Sequence, residues 1–144
     1  MVDVSEKTIS KRTAIAQSIV VLSADIMAQL QHGEIQTKKG PVFQTAILAG
    51  TMAAKKTSDL IPLCHPLGLD ACKIEIKTAD NQVIIKCTCS LSAKTGVEME
   101  ALIGASIAAL TIYDMCKAFS HDIVIKETKL LEKRGGKSNF LVKD

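Results

Sequence analysis

Side chains that bind ions or carry protons stand at both ends of one apolar segment. Residues 101–113 contain no charged residue, yet Glu98 and Glu100 precede them, and Asp114 and Lys117 follow. Apolar residues on nearly all sides predict a buried helix, and the three-residue spacing puts Asp114 and Lys117 on one face of it. Such terminal charges are typical either of a structural ion pair at the surface or of a functional site.

The two charged ends lie too far apart to hold one reacting atom. Glu100 and Asp114 are 14 residues apart in the sequence, which corresponds to about 21 Å along a helix. Either the ends serve different sites, or the glutamate end of one subunit meets the aspartate–lysine end of another. A helix this apolar in a domain this small favours the second interpretation, which is a composite site at a subunit interface.

Lysines at predicted loops and helix ends favour an anionic ligand. Lys38 and Lys39 precede a predicted helix, whose N-terminal N–H groups and dipole attract phosphate. Lys133 opens the segment KRGGKS, whose glycine backbone is suited to wrapping an anion. This segment is not a phosphate-binding P-loop, because the first glycine of that motif would fall at Leu131. We therefore expect a polyanionic small molecule, although lysines that are merely solvated are common.

The five cysteines are predicted to be reduced core thiols, and no metal site is expected. Cys87 and Cys89 lie two apart in a strand-like segment, so both point to one apolar face. A structural zinc site would need a second ligand pair, and the three histidines supply none. No carboxylate cluster dictates Mg²⁺, although that ion could accompany a triphosphate. We expect no resident cofactor and a cytoplasmic location, where thiols stay reduced.

The elements that carry these residues show both helical and strand patterns. Residues 9–31 repeat apolar side chains every three or four positions and are predicted to form a first helix. Prolines make residues 62–66 a stiff loop, and alternating patterns on either side of Asp80 and Asn81 predict an antiparallel hairpin. The remaining elements are helices at 41–56 and 96–118, a strand at 123–132 and a flexible tail at 134–139. This order indicates one α+β domain over residues 1–144, with an antiparallel sheet covered by helices.

Composition excludes several classes of protein. The chain has 144 residues, 47% hydrophobic and 23% charged, as in an ordinary folded domain rather than a disordered chain. Its aromatic fraction of 3% is too low for a platform that stacks single-stranded nucleic acid, and a net charge of +3 does not indicate nucleic-acid binding. The longest uncharged stretch, residues 40–54, is shorter than a membrane span of about 18 apolar residues. The first residues lack the pattern of a secretory signal.

Four segments together resemble one protein family. They are KGPVF at 39–43, DLIPLCHPL at 59–67, KTGVEMEAL at 94–102 and LTIYDMCKA at 110–118. In this order they resemble the MoaC family of molybdenum cofactor biosynthesis, and the resemblance covers nearly the whole chain. It implies a ferredoxin-like subunit assembled as a homohexamer, a trimer of dimers, with active sites at subunit interfaces. The implied lyase reaction converts (8S)-3′,8-cyclo-7,8-dihydroguanosine 5′-triphosphate to cyclic pyranopterin monophosphate and pyrophosphate.

The resemblance also implies which residues act. The family's catalytic residues match Asp114 and Lys117, and we expect Lys117 to be the acid–base group, with Asp114 orienting it or sharing the proton transfer. The carboxylates of Glu98 and Glu100 would accept hydrogen bonds from the guanine-derived ring, and Lys133 would contact the phosphates. The implied substrate-binding positions are Lys39, Leu63, Cys64, His65, Glu98, Met99, Glu100 and Lys133.

Two other interpretations remain open on the sequence. A non-catalytic oligomeric protein that binds guanine nucleotides would use the same lysines and release its ligand unchanged. An interaction scaffold would use the apolar helix only as an assembly core, and ligands would not protect it against thermal unfolding. Turnover of the cyclised triphosphate distinguishes the enzyme from both.

Overall fold

Four long strands and two long helices make up most of the computed structural model, which describes residues 1–143. In chain order the elements are β1 (Ser10–Leu22), α1 (Ala24–Met27), β2 (Leu30–Gln31), β3 (Glu34–Thr37), β4 (Gly40–Pro41), α2 (Val42–Ala54), α3 (Thr57–Leu60), β5 (Ala71–Ala79), β6 (Gln82–Ala93), α4 (Glu98–Cys116), β7 (Ile123–Arg134) and β8 (Phe140–Leu141).

Five strands form one antiparallel sheet in the order β5-β6-β1-β7-β8. Apart from the short elements, the chain runs strand–helix–strand–strand–helix–strand through β1, α2, β5, β6, α4 and β7. This connectivity is the ferredoxin-like α+β arrangement, and it confirms the predicted fold class. A small second sheet of β2, β3 and β4 precedes α2.

The predicted first helix at residues 9–31 is wrong, because most of it is the central strand β1. The apolar repeat that suggested a helix included Ile15 and Ile19, which lie on the partly exposed face of the strand. The buried face carries, at every second position, Ala14, Ala16, Ser18, Val20 and Leu22. Small alanine and serine side chains weaken a period-two signal. Pairing with β6 on one side and β7 on the other fixes the extended conformation.

The other long elements confirm the predictions with small shifts at their ends. The helices predicted at 41–56 and 96–118 are α2 and α4, the predicted hairpin is β5–β6, and the last predicted strand is β7. Residues 134–139 were expected to be a flexible tail, but Gly135 and Gly136 adopt positive φ angles of 92° and 79°. The chain turns there, and β8 returns to pair with β7.

Helices α2 and α4 pack with little side-chain volume between them. A Cβ at Gly50 would lie 2.6 Å from the Gly104 carbonyl oxygen, so glycine on α2 permits the close approach. By length and composition α4 would pass as a membrane span, but half of that segment is buried inside the fold. Fully buried side chains such as Ala105 and Ile112 make α4 the core helix, and its two ends reach the surface.

Candidate active site

The C-terminal end of α4 carries an ion-pair network of three predicted site residues. Asp114 Oδ2 lies 2.9 Å from Lys39 Nζ, and Asp114 Oδ1 lies 3.1 Å from Lys117 Nζ. We call these three residues the C-terminal cluster. The Asp114 side chain is 50% exposed and both lysines are similarly exposed. Exposed ion pairs contribute little to stability, so this network is better placed to meet a ligand than to hold the fold.

Asp114 lies in the last turn of α4, where the helix dipole disfavours a carboxylate. The hydrogen bond from Lys39, followed by that from Lys117, nevertheless lowers the pKa of Asp114 below its usual value of 3.8. Asp114 is therefore ionised at neutral pH. The geometry favours a role in orienting the two ammonium groups over a role as proton donor.

The hairpin of β3 and β4 positions Lys39 in front of α2. The backbone N–H of Lys39 donates to Thr37 Oγ1 at 3.1 Å. Glu34 ties the hairpin to the helix, because its carboxylate accepts the N–H groups of Phe43 and Gln44 at 2.8 and 3.1 Å. Glu34 thus occupies two of the N–H groups at this helix N-terminus, and Lys39 reaches Asp114 at the end of α4.

An open groove of about 990 Å³ lies beside the C-terminal cluster. Lys38, Phe119 and His121 contribute to its walls, and its charged side chains are three lysines and Asp114. A net positive lining suits an anionic ligand. Phe119 and His121 were not among the predicted site residues, and their sequence signal is their position directly after α4.

The N-terminal end of α4 gathers the remaining predicted site residues. A cavity of about 190 Å³ lies between the start of α4 and the loop at 62–66, which is non-helical as its two prolines predicted. Lys133 on β7 joins this group through an ion pair with Glu98. We define the N-terminal cluster as Leu63, Cys64, His65, Glu98, Met99, Glu100 and Lys133.

Glu100 is the buried acid of the N-terminal cluster. It is only 4% exposed, and burial, with a smaller contribution from the charge of Glu98, raises the pKa of Glu100. Burial and then the charge of Glu100 also raise the pKa of the Cys64 thiol. Glu100 therefore holds a proton more readily than an exposed glutamate would, and Cys64 stays a neutral thiol.

Glu98 and Lys133 connect α4 to β7 across the N-terminal cluster. Lys133 Nζ lies 3.0 Å from Glu98 Oε1. A Cβ at Gly96 would overlap the Glu98 carboxylate, so the glycine leaves room for Glu98 to fold back over the chain. This ion pair brings Lys133 into the cluster from a distant part of the sequence.

His65 is hydrogen bonded to the first residues of the chain. Its Nε2 lies 2.7 Å from the carbonyl oxygen of Val2. Because a carbonyl oxygen only accepts, Nε2 carries the proton of this bond. Lys94 Nζ likewise donates to the Ser5 carbonyl at 3.3 Å. Val2 therefore contacts the N-terminal cluster, and Ser5 lies beside Lys94 just before α4. Neither contact was predicted, because each joins distant segments.

Within one chain the predicted site residues form two groups that do not meet. Most of α4 lies between Glu100 and Asp114, a separation of about 21 Å. The N-terminal cavity of about 190 Å³ is smaller than the roughly 300 Å³ at the lower end of small-molecule pockets. Neither cluster by itself contains all the predicted site residues, and we call each of them a half-site.

A group of potential metal ligands lies outside both clusters. Within residues 1–143, the sulfur atoms of Cys72, Cys87 and Cys89 come together on the β5–β6 hairpin. Cys87 and Cys89 were predicted to share one face, but Cys72, which pairs directly opposite Cys89, was not placed with them. The signal was present, because residues 72 and 89 are equally distant from the turn at 80–81.

Comparison with known proteins identifies the family. The model of the MoaC family matches residues 1–136. The chain belongs to the MoaC family. It is 55% identical to a cyclic pyranopterin monophosphate synthase of Xanthomonas oryzae pv. oryzae, over 97% of this chain and 86% of that protein. Molybdenum cofactor biosynthesis protein 1 of Dictyostelium discoideum is 55% identical over 96% of this chain, and a molybdenum cofactor biosynthesis bifunctional protein of Synechocystis sp. is 54% identical over 96%. This chain spans 25% and 42% of those two longer proteins.

Membership of the MoaC family confirms the resemblance carried by the four sequence segments, all of which lie within the matched range. Segments 39–43 and 110–118 contain the C-terminal cluster. Segments 59–67 and 94–102 contain the N-terminal cluster apart from Lys133. The MoaC segments thus coincide with the two half-sites.

Proposed function

We propose that this chain is a cyclic pyranopterin monophosphate synthase acting in molybdenum cofactor biosynthesis. As a lyase it would convert (8S)-3′,8-cyclo-7,8-dihydroguanosine 5′-triphosphate to cyclic pyranopterin monophosphate and pyrophosphate. The family match and the name of the Xanthomonas relative support this function. They give no support to the alternative, a non-catalytic oligomeric guanine-nucleotide-binding protein.

The observation that carries the proposal is the pairing of Asp114 with two lysines beside an open groove. Ring opening and closure require proton transfers to and from nitrogen and carbon, and Lys117 would perform them. Asp114 would hold the Lys117 ammonium group in position. Lys39 would stabilise the charge that develops as pyrophosphate leaves.

The charges of the two clusters suggest how the substrate is divided between them. Glu98 and the buried Glu100 would accept hydrogen bonds from the N–H groups of the guanine-derived ring. The C-terminal cluster, with its excess of lysine, would face the triphosphate. Lys133 is bonded to Glu98, so its contact with the phosphates requires this ion pair to open. Leu63, Cys64, His65 and Met99 would complete the wall around the ring.

We propose a homohexamer, a trimer of dimers, in which the N-terminal cluster of one subunit meets the C-terminal cluster of another. The incomplete clusters support this assembly, and so do large apolar side chains left exposed on the helices. Leu48 is 61%, Met52 48% and Leu110 54% exposed, as expected for a surface that is covered by another subunit. The protein would work in the cytoplasm without a resident cofactor, and Mg²⁺ would enter only with the triphosphate.

The direct test is turnover of the cyclised dihydroguanosine triphosphate. We expect release of pyrophosphate together with the pterin product, and loss of both in Lys117→Ala and Asp114→Asn. Lys73→Ala is the matched control, because it breaks a comparable exposed ion pair with Glu75 (3.2 Å) outside both clusters, and it should keep its activity. Binding of the triphosphate without turnover by the unmodified protein would refute the proposal and favour a nucleotide-binding protein.

A further inference from the structure

Three sulfur atoms on the β5–β6 hairpin form a nearly equilateral triangle. The Sγ–Sγ distances are 3.9 Å from Cys72 to Cys87, 3.8 Å from Cys87 to Cys89 and 3.9 Å from Cys72 to Cys89. The register of β5 against β6 produces the triangle. Cys72 pairs with Cys89 across the hairpin, and Cys87 precedes Cys89 by two positions and lies on the same face. All three are free thiols.

The size of this triangle matches that of a three-coordinate metal site. The centre of an equilateral triangle with edges near 3.9 Å lies about 2.2 Å from each corner, close to the ~2.3 Å of a metal–thiolate bond. Soft thiolate ligands select Cu(I), which three sulfur atoms can surround in a plane. Zn²⁺ instead prefers four ligands in a tetrahedron.

We propose that Cys72, Cys87 and Cys89 form a three-thiolate site for a soft monovalent metal ion, Cu(I). No residue of the N-terminal or C-terminal cluster belongs to it. The site is therefore independent of the proposed synthase reaction, and its ion would be held between the sheet and the helix pair α2–α4.

The surrounding fold supplies space and charge for the ion. A Cβ at Gly104 would lie 2.5 Å from Cys87 Sγ, so this glycine on α4 leaves the room that the sulfur occupies. Cys87 and Cys89 are fully buried, whereas Cys72 is only half-buried and provides the way in. Three thiolates with one Cu(I) carry two negative charges, and the ammonium group of Lys55 on the Cys72 side offsets part of them.

Cu(I) binding deprotonates the three thiols. Each sulfur coordinates the ion as a thiolate, so three protons pass to solvent for each Cu(I) bound, and copper remains Cu(I) throughout. The half-buried Cys72 is the sulfur that solvent and an incoming ion reach first.

The test is an anaerobic titration of the reduced full-length protein with Cu(I) in competition with the chelator bicinchoninate. We expect the protein to withdraw one Cu(I) per chain, and X-ray absorption to show three sulfur neighbours at about 2.2–2.3 Å. Cys72→Ala removes the half-buried ligand and should weaken Cu(I) binding at least ~100-fold. Cys116→Ala, which removes a buried thiol outside the triangle, is the matched control and should bind Cu(I) like the unmodified protein.

Three results would overturn the proposal. The first is failure of the unmodified protein to take copper from the chelator, which would mean that the thiols only pack against one another. The second is equal Cu(I) affinity in Cys72→Ala and the unmodified protein. The third is that the protein binds copper with only two sulfur neighbours in the X-ray absorption spectrum, or that it prefers Zn²⁺, held with a fourth ligand, over Cu(I). The spectrum is measured on the unmodified protein, so it decides even if a variant fails to fold.

Discussion

Mixed assemblies of two inactive variants should recover activity. Glu100→Ala damages the N-terminal cluster and Lys117→Ala damages the C-terminal cluster, which lie at opposite ends of α4, about 21 Å apart within one chain. If each site joins the clusters of two subunits, random assembly from equal amounts gives about a quarter of the sites two intact halves. We therefore expect the mixture to release pyrophosphate at about a quarter of the rate of the unmodified protein.

The interpretation depends on proof of mixing and on a matched control. Each variant carries its own affinity tag, so binding to both resins shows that single assemblies contain both kinds of subunit. Lys117→Ala mixed with Asp114→Ala is the control, because both substitutions damage the same cluster and every site keeps a defect. Its activity should stay at background. If mixed assemblies of Glu100→Ala and Lys117→Ala are demonstrated but show only background activity, shared sites are refuted. Each active site would then lie within a single subunit.

Three further predictions concern individual residues. Because burial raises the pKa of Glu100, its contribution to stability is present below the ordinary value of 4.5 and is lost as the pH rises through the raised pKa. As the pH rises through that range, the melting temperature of Glu100→Gln should therefore rise relative to that of the unmodified protein. A melting-temperature difference that does not change with pH would contradict this. Gly50→Ala should lower the free energy of unfolding in urea by about 1–3 kcal/mol, because its Cβ would lie 2.6 Å from the Gly104 carbonyl oxygen; an unchanged free energy of unfolding would contradict this. Gly96→Ala should displace the Glu98 carboxylate and raise KM while the melting temperature stays near that of the unmodified protein, and an unchanged KM would argue against a role for Glu98 in binding.

Most of the fold could be predicted because local pattern and tertiary packing agree. The β5–β6 hairpin alternates around its turn, and α2 and α4 present apolar and small residues where they pack. Strand β1 could not be predicted in this way. Its buried face is built largely from alanine and serine, and its extended state depends on β6 and β7, which lie far along the chain. Local periodicity carries no information about such partners.

The site could be predicted where its residues lie together within one segment of the sequence. The charges at the two ends of α4 are visible from spacing alone. The four family segments supplied the loop residues, and the resemblance outside these segments supplied Lys133. Contacts between distant segments could not be foreseen, such as the bond from His65 to Val2. The same holds for Glu34, whose carboxylate accepts the N–H groups of Phe43 and Gln44 at the start of α2.

Because α4 is one continuous helix, the number of residues between Glu100 and Asp114 fixes both the distance and the relative orientation of its two ends. One inserted residue between Glu100 and Asp114 would rotate one end against the other by about 100° and lengthen the helix by ~1.5 Å. Sheet-facing alanines would leave their places, and the carboxylate of Asp114 would swing away from Lys39. Insertions and deletions should thus be tolerated in the turn at 80–81 but not within this helix. A relative with a different number of residues between these two acids would need a different quaternary arrangement.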